Sequence, residues 1–143
     1  MHSILRISDA ASLAIHAAAF LAGNPGKPWT TREIADALRV SENHLSKVLQ
    51  RMAKAGLVQA QRGPNGGSRL AKSPEEITLL DVYRSVDGEL PQGDCLLGNS
   101  VCSPGNCIFG GFLRKVREEL MDKLANTRLT SIAHLCRREE HNA

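Results

Sequence analysis

At 143 residues the chain is long enough for one domain, or for a small domain with an appended element, and its 42% hydrophobic content is ample for a globular core. Aromatic residues make up only 3% of it, which argues against base reading by stacking and so against a single-strand or RNA-loop binder. The net charge of +3 hides a division: Arg39 to Lys72 carries seven Lys or Arg against Glu42 alone, whereas Ser73 to Gly110 carries six acids against Arg84 alone.

In chain order, Ser8 or Asp9 caps a first predicted helix that runs to about Ala22. Small residues nearly all round it imply burial between neighbours. Its Ala17 to Ala22 run could be mistaken for a signal peptide, but Asp9 and His16 interrupt the apolar stretch and only Arg6 precedes it as a cation. No segment reaches the ~20 apolar residues of a membrane span. A cytoplasmic protein is expected, in which cysteines more often bind metal than pair.

Gly23 to Gly26 make a turn, and Lys27, Pro28 and Trp29 lead into a second helix capped by Thr30, with Glu33 placed to complete a capping box. Trp29 reads as core packing. Arg39 and Val40 leave room only for a sharp turn before Ser41 caps a third helix. There Leu45, Val48, Leu49 and Met52 repeat at i, i+3, i+4 and i+7, which makes one apolar face. The opposite face is Asn43, His44, Lys47, Arg51 and Lys54: hydrogen-bonding groups first, cations later, an order that suits base edges and then phosphates.

Gly56 stops that helix. Leu57 to Gln59 start a strand, Arg62 to Gly67 turn it, and Ser68 to Leu70 return it as a glycine-rich wing. Capped helix, short turn, second capped helix and basic wing together read as a winged helix-turn-helix that binds DNA. Ser73 to Glu76 then make another turn, and Thr78 caps a helix that ends at Gly88.

Glu89 to Cys107 form a loop of Gly, Pro, Asn and Ser carrying Cys95, Cys102 and Cys107, separated by six and four residues. Such a loop lets three thiolates converge and leaves backbone N–H groups to hydrogen-bond sulfides, which suits an iron-sulfur cluster. Structural zinc is the alternative, although it favours tighter knuckles, and a disulfide would strand one cysteine. The fourth ligand stays open. Cys136 reads as a buried or tail thiol, while Asp9, Ser12 and His16 of the first helix are further candidates, from this chain or from a partner subunit.

From about Ile108 a long helix is expected, with Phe109, Phe112, Leu113, Val116, Leu120 and Leu124 in one apolar stripe. Its simplest use is a twofold partner, which would carry two recognition helices to successive major grooves of a palindromic operator. Leu129 to Leu135 read as a short terminal helix. The whole is mainly α with a small β-wing. Residues 1–88 form the DNA-binding domain, 89–108 the cluster-binding loop, 109–136 the dimerisation and terminal helices, and 137–143 a flexible tail. No serine-hydrolase elbow, P-loop, zincin or dinucleotide motif is present, so no enzyme is expected.

These features together resemble the Rrf2 family of bacterial winged-helix regulators, which includes IscR, NsrR, RirA and CymR. The resemblance rests on Leu5-Arg6-Ile7-Ser8 with the alanine-rich helix, the Thr31 to Gly56 helix pair, Arg62-Gly63-Pro64-Asn65-Gly66-Gly67, Val86-Asp87-Gly88, and the three cysteines before a long helix. It implies a homodimeric transcription factor with the third helix in the major groove and the wing in the minor groove, and a repressor is expected. By position Thr31, Ser41, Asn43, His44, Ser46, Lys47 and Arg51 would face bases or backbone, and Arg62 and Gly63 the minor groove.

Members with the cysteine triad sense redox state, nitric oxide, iron or cluster status through a 2Fe-2S or 4Fe-4S cluster. This chain departs from two branches. Gly110 stands where the IscR branch has a His, and Ser12 where the NsrR branch has an acidic ligand. Cluster type therefore stays open, beside two alternatives: a cluster-free thiol or partner-regulated transcription factor, and an iron-sulfur electron-transfer or cluster-carrier protein.

Overall fold

A computed structural model describes residues 7–90, 102, 107–109 and 111–138. The first half of the chain is built by side-chain caps. Ser8 accepts from the Ala11 amide to open α1 (Asp9–Gly23), and Thr30 and Glu33 form a reciprocal capping box at α2 (Thr31–Leu38). Arg39 takes a left-handed conformation to make the turn, with φ of 57°, and Ser41 opens α3 (Glu42–Lys54). Leu45, Val48, Leu49 and Met52 of α3 are buried, as their spacing requires.

The wing pairs β1 (Val58–Gln61) with β2 (Gly67–Leu70) in antiparallel register, Val58 opposite Leu70 and Gln61 opposite Gly67. It begins one residue later than the sequence reading placed it and gains a neighbour that reading omitted. Trp29 bridges Ser68 from the other side, exchanging both backbone hydrogen bonds at 2.9 and 2.7 Å. That approach is close: a Cβ on Gly67, whose φ is +150°, would sit 2.4 Å from the Trp29 backbone, so glycine is required there.

Trp29 is core packing, as expected. Its ring meets Phe20 edge-on at 5.2 Å, its indole N–H donates to the Asn24 carbonyl, and Lys27 lies 4.1 Å over its face. The main core joins α1, α2, α3 and the wing through Ala17, Phe20, Ile34, Leu45, Met52 and Val58.

After a 3-10 turn at Pro74–Glu76, α4 (Leu79–Asp87) opens on a Thr78 and Asp81 capping box. The last long helix, α5, spans Phe112–Asn126. It starts four residues later than the sequence reading: Ile108 and Phe109 lie in a turn before it, because the Gly110-Gly111 pair that follows them is costly inside a helix. Leu113 and Leu124 are buried, and Leu120, Met121 and Ala125 pack against a second core of Ala11, Leu80, Tyr83 and Leu90. Part of the stripe assigned to a twofold partner therefore seals its own chain.

The terminal segment is α6 (Leu129–Ile132) finished by a 3-10 turn at Ala133–Cys136. Of the expected tail Arg137 and Arg138 are described, and Arg138 lies against Asn24: its amide donates to Asn24 Oδ1 at 2.9 Å, and its guanidinium stacks over Trp29. The remainder of that tail lies outside the described residues.

Candidate nucleic-acid interface and cysteine loop

The recognition face is laid out by α3. With one side buried against α1 and α2, the helix turns Asn43, His44, Lys47, Gln50, Arg51 and Lys54 to solvent, while Ser46 is half-buried. Ser41 is exposed at its N-terminus, where its Oγ accepts the His44 amide at 3.3 Å and its hydroxyl proton stays available to a ligand. Helix N-termini present unpaired N–H groups and a positive dipole end, which suit a phosphate. Thr31 is half-buried as the first residue of α2, beside the Thr30 cap.

Arg62 and Gly63 are exposed at the wing turn, closed by the Gly66 amide donating to the Gly63 carbonyl at 2.9 Å. Arg69, which the sequence reading did not single out, sits opposite Gln59 with both side chains exposed, and adds a cation to the wing. The period of two from buried Ser68 was the signal for it. One cation of the set is engaged otherwise: Arg51 donates from Nη1 to the Val86 carbonyl at the end of α4, at 3.2 Å.

A groove of about 500 Å³ runs between the N-terminal half of α1 and the N-terminus of α3, lined by Asp9, Ser12, Leu13, His16, Leu38, Val40, Ser41 and His44. It brings all three first-helix candidates for a fourth ligand beside two residues of the recognition helix. His16 is exposed, and its Nδ1 lies 2.6 Å from the Ser12 carbonyl. A carbonyl only accepts, so Nδ1 is the donor in this contact.

Cys102 and Cys107 are half-buried and neither is in a disulfide, while Cys95 lies outside the described residues. Among the described residues no three ligand side chains converge. Cys136 packs against the main core, burial pushes its thiol pKa up, and its carbonyl accepts from Asn24 Nδ2 at 2.9 Å.

No described helix is long and apolar enough to cross a membrane. The family model for Rrf2, described as an iron-dependent transcriptional regulator, matches residues 7–135. The chain is 35% identical over 104 residues to the transcriptional regulator NsrR of Bacillus licheniformis, covering 71% of this chain and 72% of that one. To the transcriptional regulator BadM of Rhodopseudomonas palustris it is 38% identical over 78 residues, which is 54% of this chain and half of BadM. Among solved structures it is similar to CymR, the global cysteine regulator of B. subtilis, with a TM-score of 0.75 and 26% identity over 92% of this chain and 96% of that one.

Proposed function

The chain belongs to the Rrf2 family of transcriptional regulators, and from that premise we propose that it is a homodimeric repressor whose operator affinity is set by an iron-sulfur cluster on Cys95, Cys102 and Cys107. Regulators of this family bind DNA and are not enzymes, so the electron-carrier alternative falls away. The observation that carries the reading is the exposed face of α3, polar near Ser41 and cationic beyond it, next to a basic wing. In it Asn43, His44 and Ser46 read base edges, Thr31, Ser41 and Lys47 hold backbone, and Arg62 with Gly63 enters the minor groove. A regulator of chromosomal DNA works in the cytoplasm.

Soft thiolates on a loop rich in Gly, Pro and Ser fit an iron-sulfur group better than a closed zinc knuckle, and the half-buried Cys102 and Cys107 have the partial access such ligands need. When bound, the group supplies a charge and a redox state that respond to oxidant, nitric oxide or iron supply. The chain's own residues convert that state into affinity, through two arrangements of the recognition helix that hold DNA differently. The fourth ligand is sought among Asp9, Ser12 and His16 of the first helix, which line one groove with Ser41 and His44. The likeness to CymR favours one second reading, a cluster-free thiol or partner-regulated factor.

The test is anaerobic purification with visible absorption and iron and sulfide quantitation, followed by duplex binding of loaded and stripped protein. A coloured protein whose affinity changes on stripping is expected. A colourless protein that resists reconstitution and still binds DNA would establish the second reading. Alanine at each of Cys95, Cys102 and Cys107 should act alike, whereas a two-cysteine thiol switch would leave one dispensable.

A further inference from the structure

We propose that Arg51 is a positioning residue, the link through which the end of α4 sets the pose of the recognition helix, and not a phosphate contact. The inference rests on the DNA-binding reading of α3 and names a route by which the cysteine loop could govern it. A cation on an exposed recognition face is ordinarily free to meet the backbone. Arg51 is instead bonded to Val86, 35 residues away in sequence.

The bond has a physical reason. The last four carbonyls of a helix lack intrahelical donors, and the negative end of the helix dipole favours a cation beside them. Within α4 the Gly88 amide takes the Arg84 carbonyl at 3.1 Å, and the guanidinium of Arg51 takes the Val86 carbonyl. One residue later, Asp87 accepts the Ser8 hydroxyl at 2.5 Å and the Ser8 amide at 3.4 Å, which ties the cap of α1 to the same point.

Gly88 then turns at a φ of +73°, and Leu90 is buried in the second core just before the segment that carries Cys95. Val86, Asp87 and Gly88 are thus the junction at which the recognition helix, the cap of α1 and the strand of chain leading to the cysteines meet. A shift of that chain moves the Val86 carbonyl, and Arg51 carries the movement to α3.

The test is a double-mutant cycle on the full-length protein, read by anisotropy with a labelled duplex that the wild type selects from a random library. Gly88→Ala perturbs only the backbone at the end of α4: its Cβ would meet nothing within 4 Å, while the positive φ strains the turn. Where Gly88→Ala fails to fold, Asp87→Ala releases Ser8 at the same point and takes its place. The perturbation should change duplex affinity by about threefold or more with Arg51 present, and by less than about twofold in Arg51→Gln.

Arg51→Lys, which keeps the charge and one donor, should retain most of the sensitivity. Equal factors in the wild-type and Arg51→Gln backgrounds overturn the proposal, as does a wild type indifferent to the perturbation. So does a salt slope that falls by about one in Arg51→Gln, which would mark a phosphate contact. The cycle needs no cluster, so its failure is separate from that of cluster sensing, which the loaded and stripped comparison decides.

Discussion

The winged-helix body and α5 have similar shares of apolar residues but handle them differently. In the body, Ile34, Leu45 and Met52 are 0% exposed, each surrounded by α1, α2, α3 or the wing. In α5 only some members of the stripe are treated that way: Leu113 is 1% exposed and Leu124 4%, the latter against Tyr83 and Leu80, whereas Phe112 is 59% exposed at the helix start and Phe109 44% just before it. An apolar stripe longer than the surface its own chain offers is what remains for a second copy. For the proposed homodimer, the exposed members of the stripe are Phe112 at the beginning of α5 and Phe109 in the turn before it.

The contrast is sharpest at its buried extreme. Ile34→Ala removes a fully buried side chain that the close packing of α1 and α3 cannot replace, and should cost about 3 kcal/mol of stability by thermal or denaturant unfolding. Leu124→Ala, in the smaller second core whose far side is exposed helix, should cost nearer 2 kcal/mol, since that site can collapse more easily. If Leu124→Ala cost as much as Ile34→Ala, α5 would be as integral as the body and the comparison would break.

How much was legible from the residues follows the same line. Thr30, Ser41 and Thr78 each begin a helix where the sequence placed them, and of the two candidates Ser8 and Asp9 it is Ser8 that caps the first, because a cap is a contact between residues three apart. The α3 face was legible for the same reason. The start of α5 was not: Ile108 and Phe109 continue the apolar periodicity, and only the two glycines that follow speak against a helix there. Contacts with no local signal were invisible, among them the Trp29 to Ser68 bridge, Arg51 to Val86 and Ser8 to Asp87. They depend on where separate elements meet, which spacing does not encode.

The caps give the next and smaller effect. Thr30→Ala removes half of the α2 capping box and should cost about 1 kcal/mol, and with it blur the turn that aims α3. The other half titrates. Glu33 accepts the Thr30 amide at 2.9 Å and pairs with Lys27, and those two contacts hold its carboxyl below its usual value of 4.5. A lowered folded pKa means stability that is present at neutral pH and lost as pH falls below about 4.5 and through the folded value. Glu33→Gln should remove that acid-side slope in an unfolding series. A slope unchanged by the substitution would show that solvent screening of this half-exposed pair leaves it little weight.

The smallest effect on the protomer is expected where the comparison matters most. Phe112→Ala removes an aromatic ring that is 59% exposed and sits at the first residue of α5, so the fold of a single chain should change by no more than about 0.5 kcal/mol. Association is another matter, because aromatic side chains at the centre of an interface carry much of its binding energy. Sedimentation equilibrium over a range of concentrations should show dimer giving way to monomer in Phe112→Ala while Leu124→Ala, despite its greater cost to stability, stays dimeric until it unfolds. If Phe112→Ala melts like Leu124→Ala and keeps the same association state, the ring is serving its own chain. The start of α5 would then belong with the body, and the second copy would have to meet this one on a different face.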